Sequence, residues 1–323
     1  MKSIDRRSFL KGSLLTAAAA SFPGSLAVTA APAAPPPASG ASAEPGIIDT
    51  NVNLFHWPYR RLRYDDTGAL VAKLRRHRIV QAWAGSFEAL LHKNVSGVNA
   101  RLAAECRANG GGMLIPFGTV NPAWPDWEED LRRCQDVHRM PGIRLYPGYQ
   151  HCGFENPEFA RLLQMAGDRG MIVQIAGEME EPRVHHPNLA LRDMDLTALA
   201  AALKAAPHTK VHLVHFAPLI FISGGQVSQK ARETIRNETG AFFDISRLEG
   251  NGILGRVLGV EEPLGPAAVG RLPLERILFA SHAPFFPVEA SVMRLFESPL
   301  SQAQMLAVMQ GNARRLLASA RRA

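Results

Sequence analysis

Ile47-Ile48-Asp49-Thr50-Asn51-Val52-Asn53 is the first of eight short runs rich in β-branched and apolar residues, and the spacing of those runs decides the fold. The others are Ile79 to Ala84, Met113 to Thr119, Gly142 to Tyr146, Met171 to Ala176, Lys210 to Phe216, Ala241 to Ile245 and Ile277 to Ser281. Longer Ala-, Leu- and Arg-rich stretches separate them, such as Asp126 to Val137 and Asp195 to Ala205, the latter with apolar residues three and four apart. Strand-like runs alternating with helix-like stretches indicate repeated β-α units. Eight of them predict an α/β fold, a (β/α)8 TIM-like barrel, rather than an open doubly wound sheet. An open sheet of that kind uses fewer strands and a glycine-rich turn after the first, and no such turn follows Asn53. In a closed parallel barrel, function belongs at the carboxyl ends of the strands.

Upstream of Ile47 the chain reads differently. Asp5-Arg6-Arg7-Ser8-Phe9-Leu10-Lys11 leads into an uncharged, Ala-rich stretch from Gly12 to Ala34, the pattern of a twin-arginine export signal. Small residues at Ser25 and Ala27, or at Val28 and Ala30, place cleavage near residues 27 to 31. The expected organisation is a signal peptide over 1–30, a disordered Ala/Pro-rich linker over 31–45 and a barrel over 46–323, with the mature protein periplasmic or secreted. Removing residues 1–30 takes away Lys2, Arg6, Arg7, Lys11 and Asp5, so the formal charge of +7 becomes +4. No dense basic patch interleaved with aromatics remains, which argues against nucleic acid and for a small, anionic substrate as partner. No second long apolar run suggests a membrane span after cleavage. Cys106, Cys134 and Cys152 are odd in number and lack C-x-x-C spacing, so they read as ordinary thiols. Nothing in the sequence sets an oligomeric state.

The run at Asp49-Thr50-Asn51-Val52-Asn53 resembles the first strand of the amidohydrolase-related family, whose motif there is D-x-H-x-H. Val211-His212-Leu213-Val214-His215-Phe216 is similar to its sixth strand, Phe242-Phe243-Asp244-Ile245-Ser246 to its seventh and Ile277 through Pro284 to its eighth. Gln310-Gly311-Asn312-Ala313 resembles its closing helix. The resemblance implies a distorted barrel holding a divalent ion that activates water or polarises a substrate for decarboxylation. It places the ligand positions on Asn51, Asn53, a position at or beside Ala176, His215 and His282. Only His215 keeps the family's residue type. Zinc sites use imidazole, thiolate or carboxylate donors, and neutral amides substitute poorly. The donor set therefore argues against a tightly held zinc or other divalent ion more than for it, and the metal ligands stay unassigned.

Several residues are then candidates for chemistry without that ion. His215 and His282 form a candidate proton-transfer pair, with Asp244 as orienting carboxylate. Asn51 and Asn53, two apart on a strand, project together into the mouth. Arg144 at the end of the fourth run offers a planar fork for a substrate carboxylate or closes the barrel end in a salt bridge. Glu178 and His186, in the loop after the fifth run, are candidate substrate contacts. His212, three residues from His215, is expected on the opposite strand face, between sheet and helices. The leading functional expectation is a hydrolase acting on a small acidic or lactone- or ester-like substrate. The alternatives are a metal-dependent hydrolase or decarboxylase with a rearranged ligand set, and a noncatalytic periplasmic binding protein.

Overall fold

The computed structural model describes residues 46–217, 220, 228–248, 253–258 and 272–320. The expected export signal and linker lie outside them. All eight anticipated runs are strands: β1 (Ile47–Leu54), β2 (Ile79–Ser86), β3 (Leu114–Pro116), β4 (Gly142–Leu145), β5 (Ile172–Ala176), β6 (Lys210–Val214), β7 (Phe242–Asp244) and β8 (Ile277–Leu278). The third and eighth are shorter than the sequence suggests, and Gly118 and Ala283 beyond them carry the bridges at the two seams.

Pairing is parallel throughout, in the orders β1-β2-β3 and β4-β5-β6-β7-β8. At the first seam Gly118 bridges Ile143, and the Arg144 amide donates to the Gly118 carbonyl at 2.6 Å. At the second, Val52 bridges Ala283, while amides of Thr50, His282 and Asn53 donate to carbonyls of Phe279, Asn51 and Ala283 at 3.0, 3.0 and 2.8 Å. Asp49 reinforces that seam, accepting from the Asn51 and Ser281 amides and from the Ser281 hydroxyl. These bonds carry the pairing around the ring, which is the anticipated TIM-type barrel.

Helices fill the connections as the periodicity requires. Leu196–Ala205 starts where Asp195 caps the Thr197 amide at 2.8 Å, and buries Leu196, Leu199, Ala200, Ala202 and Leu203. The final helix, Asn312–Ala320, closes the end where the strands begin. Its Ala313, Leu316, Leu317 and Ala320 pack with Ile48, Trp83, Phe117, Ile172 and Leu278. Each large apolar side chain buried there contributes roughly 1.5–3 kcal/mol. Asn312 pins the helix by donating to the Leu274 and Ile277 carbonyls, both at 2.7 Å. The opposite end, where function is expected, is roofed by Trp57, Phe87, Tyr146, Tyr149 and Met179.

Candidate active site

Arg144 organises the barrel interior. It leaves β4 pointing inward and is 1 % exposed. Its Nε donates to Gln174 Oε1 at 2.8 Å. Nη1 reaches Asn51 Oδ1 (3.1 Å), the Val52 carbonyl (2.9 Å) and Asn53 Oδ1 (3.0 Å). Nη2 reaches the carbonyls of Thr50 (3.4 Å) and Trp83 (3.1 Å). Gly85 on β2 makes room, because a Cβ there would lie 2.7 Å from Nη1 and 2.6 Å from Tyr146 Oη. Burial pulls the Arg144 pKa below its ordinary value, yet a guanidinium stays charged in proteins. All five of its N–H donors face acceptors within the barrel. The expected fork for a substrate carboxylate is thus not on offer at the mouth, and among the described residues Arg144 makes no salt bridge either.

The orientation of the surrounding amides follows from that anchor. Gln174 accepts with its oxygen, so its amide nitrogen is the group that donates to the Thr50 carbonyl at 2.8 Å and to His212 Nδ1 at 2.9 Å. His212 then carries its proton on Nε2, which lies 3.2 Å from Asp244 Oδ2 in a close but poorly aligned contact. Asn51 likewise accepts with its oxygen, so its nitrogen donates to His215 Nε2 at 2.6 Å. His215 therefore holds its proton on Nδ1. His282 donates from Nε2 to the Met179 carbonyl at 3.0 Å, which leaves its Nδ1 as a bare acceptor.

The two imidazoles meet as the family positions imply, with ring centroids 3.9 Å apart and planes at 68°. His215 Nδ1 and His282 Nδ1 both lack a hydrogen-bond partner among the described residues, as do Asn53 Nδ2 and Trp57 Nε1. Two rings in contact thus keep one bare donor and one bare acceptor, which do not bond each other. Both rings are buried, and burial holds the His282 pKa down at about 3 and that of His215 well below the ordinary histidine value, with the charge of His282 a further cause for His215. Left-handed backbone sets their directions: His215 (φ 66°), Arg247 (φ 58°) and His282 (φ 61°) follow β6, β7 and β8 in turn. Such conformations in non-glycine residues cost of order 1–3 kcal/mol each and gather at functional sites.

That backbone also corrects the expectation for His212. Strand alternation holds only while the strand continues, and β6 ends at Val214. The left-handed turn at His215 brings both histidines to the barrel interior. Asp244 serves His212 rather than the pair, its other oxygen accepting from the Ser246 amide and hydroxyl. Asn51 and Asn53 do share a face, although their oxygens are spent on Arg144. Glu178 is half-buried, and its carbonyl accepts from Arg247 at 2.7 Å. His186 is exposed and stacks on Tyr59 at 4.8 Å, three rings removed from His282 through Tyr59, Trp57 and Phe285. Neither Glu178 nor His186 is brought to the imidazole pair. Gln174, Asp49 and Phe285 were not anticipated. For Gln174 a signal existed: it is the one polar residue in the buried β5 and stands in register with Arg144 and His212.

This donor set does not fit a divalent ion. The Asn51 and Asn53 oxygens point at a permanent cation, and His215 Nε2 is taken by Asn51. A doubly charged ion about 4 Å from the guanidinium would be repelled by roughly 8 kcal/mol at an effective dielectric of 20. No cluster of three or more His, Cys, Asp or Glu side chains suited to a metal occurs among the described residues.

Beside the pair, His282 stacks on Phe285 (5.1 Å) and touches Phe286 (5.2 Å). Both line a cavity of about 480 Å³, together with Arg60, Arg61, Arg63, Lys73 and Glu289, and within that lining Lys73 pairs with Glu289 while Arg61 pairs with Asp65. Above it, Arg60 pairs with Glu180, tying the β1 loop to the β5 loop.

Comparison with known proteins agrees with this architecture. A search of curated proteins returns no match. The 2,6-dihydroxybenzoate decarboxylase of Rhizobium superposes with a TM-score of 0.60 at 14% identity, over 84% of this chain and 99% of that one. The 5-carboxyvanillate decarboxylase of Sphingomonas paucimobilis gives 0.61 at 14%, over 85% and 99%. A manganese-bound dihydroxybenzoic acid decarboxylase from a Polaromonas species gives 0.61 at 14%, over 84% and 97%. At such identities the likeness shows the fold alone. Residues 3–23 match the twin-arginine translocation signal, and no helix among the described residues is long and apolar enough to cross a membrane. The amidohydrolase family profile matches residues 48–318, nearly the whole barrel, and the chain belongs to that family.

Proposed function

We propose that this chain is an exported hydrolase that opens a small ester- or lactone-like substrate without a divalent ion at the barrel centre. The observation that carries the reading is the locked imidazole pair, two rings with centroids 3.9 Å apart of which one keeps an unpartnered donor, His215 Nδ1, and the other an unpartnered acceptor, His282 Nδ1. Hydrolysis needs both roles at once. His282 Nδ1 accepts a proton from the attacking water, and the His215 Nδ1–H donates to the carbonyl oxygen as negative charge grows on it. The water oxygen bonds to the carbonyl carbon, the alkoxide leaves, and the proton on His282 passes to it.

A base whose pKa is about 3 pulls weakly on water. That weakness restricts the substrate to strained or activated acyl groups, lactones and aryl esters above all. Periplasmic or secreted localisation follows from the twin-arginine signal.

Two other readings have an observation behind them. Complete burial of both rings favours a ligand-binding protein without turnover. The likeness to decarboxylases favours decarboxylation, although the donors for an ion are spent on Arg144. The test is a tag-free preparation from the periplasm, analysed for zinc, manganese and iron and then assayed on lactones, aryl esters and dihydroxybenzoates. Turnover of an ester or lactone that resists chelators and falls at least 100-fold in both His215→Ala and His282→Ala supports the proposal. Turnover unaffected by either change sinks it, and stoichiometric metal with carbon dioxide release installs the decarboxylase instead.

A further inference from the structure

We infer that Arg144 is the resident cation of this barrel: its guanidinium stands where the side chains at the family's first-strand ligand positions converge, and it orients His215 through Asn51 as a bound ion would orient its ligands. The inference goes beyond the proposed chemistry and holds whether or not the chain turns over a substrate.

Three observations carry it. First, Asn51 Oδ1 and Asn53 Oδ1 both end on the same nitrogen, Nη1, at 3.1 and 3.0 Å. Amide oxygens are poor ligands for zinc and good acceptors for a guanidinium, so Asn51 and Asn53 are matched to Arg144 as imidazoles would be matched to an ion. Second, the cradle is built for this side chain. Gly85 clears the space, and backbone carbonyls of Thr50, Val52 and Trp83 take up donors the two asparagines leave. A lysine could satisfy no more than three of these acceptors and lacks the planar fork. Third, the cation has a directional consequence. Because Arg144 claims the Asn51 oxygen, the Asn51 nitrogen must face His215 Nε2, and the imidazole proton is forced onto Nδ1. Arg144 is thus a positioning residue, two hydrogen bonds from the ring it orients.

The experiment swaps the cation. Wild type, the Asn51→His/Asn53→His double variant and the Arg144→Met/Asn51→His/Asn53→His triple variant are each stripped with chelator, offered zinc or manganese, and read by elemental analysis and thermal unfolding. The inference expects no stoichiometric ion and no rise in midpoint for the first two. It expects about one equivalent, with a midpoint rise of several degrees, for the triple variant alone. Stoichiometric binding by wild type, or by the double variant as well as the triple, overturns it. Should the triple variant not fold, imidazole ¹⁵N spectra of wild type and Arg144→Lys decide. The expected pattern is a single Nδ1–H tautomer at His215 in wild type and a mixture in the lysine variant. An unchanged single tautomer overturns the inference.

Discussion

Replacing Asp49 by Asn is expected to stabilise this protein more at pH 8 than at pH 5. Burial at the β8-β1 seam raises the Asp49 pKa from 3.8 to about 7, against the lowering effect of its bonds from Ser281 and Asn51. The folded protein therefore holds the proton more tightly than the unfolded chain does. Its contribution is intact below pH 4 and is lost as pH rises through 7. At about 1.4 kcal/mol per pH interval, the full span from 3.8 to about 7 amounts to about 4 kcal/mol, of which about 2–3 kcal/mol falls between pH 5 and pH 8. Asn is a fair probe because Asp49 Oδ1 alone takes both amide bonds, from Asn51 at 3.1 Å and Ser281 at 3.0 Å, and an asparagine oxygen can keep them. The nitrogen then faces the Ser281 hydroxyl. Urea denaturation of both proteins at several pH values gives the difference directly, and every other titrating group cancels from it. Two curves that stay parallel within about 0.5 kcal/mol from pH 5 to 8 would refute the reasoning.

Both site imidazoles should remain neutral at pH 5, where an ordinary histidine is mostly charged, because burial depresses them; ¹⁵N spectra showing either ring protonated at that pH contradict this. Since the unfolded chain takes up those protons first, His282 should erode stability as pH falls from 6.5 toward 3, and His215 acts in the same direction. Gln174→Leu leaves Arg144 Nε, His212 Nδ1 and the Thr50 carbonyl without their partner, and should cost about 2–4 kcal/mol in chemical denaturation; a loss below about 1 kcal/mol would mean that water substitutes for the amide. Lysine in place of both Arg6 and Arg7 should leave the precursor in the cytoplasm, which cell fractionation checks, and unimpaired export would argue for another route.

The barrel was legible because its signal is local. Each strand is a short apolar run, and a helix such as Leu196–Ala205 has its own period and cap, so Asp195 could be picked as a helix start from sequence alone. The imidazole pair was legible for another reason: residues 215 and 282 occupy strand ends, which a parallel barrel gathers at one mouth. What the sequence hid is direction. Period-2 reasoning put His212 on the outside, because nothing local announces the left-handed turn at His215. Arg144 looked like a substrate clamp because its six acceptors come from β1, β2 and β5, up to 94 residues away. Asp244 near a strand end suggested service to the pair, while register across β6 and β7 gave it to His212 instead.

The seam between first and last strands has a bearing on when this protein can mature. Asp49 finds its partner Ser281 only 232 positions later, and the strap at Asn312 comes later still. Until Ser281 has been made the nascent chain has no closed ring, and Asp49 lacks the partner that seals it. A translocation machinery that accepts cargo already folded suits such a protein, since a route that threads chains as they emerge would postpone the union of its two ends to the far side of the membrane.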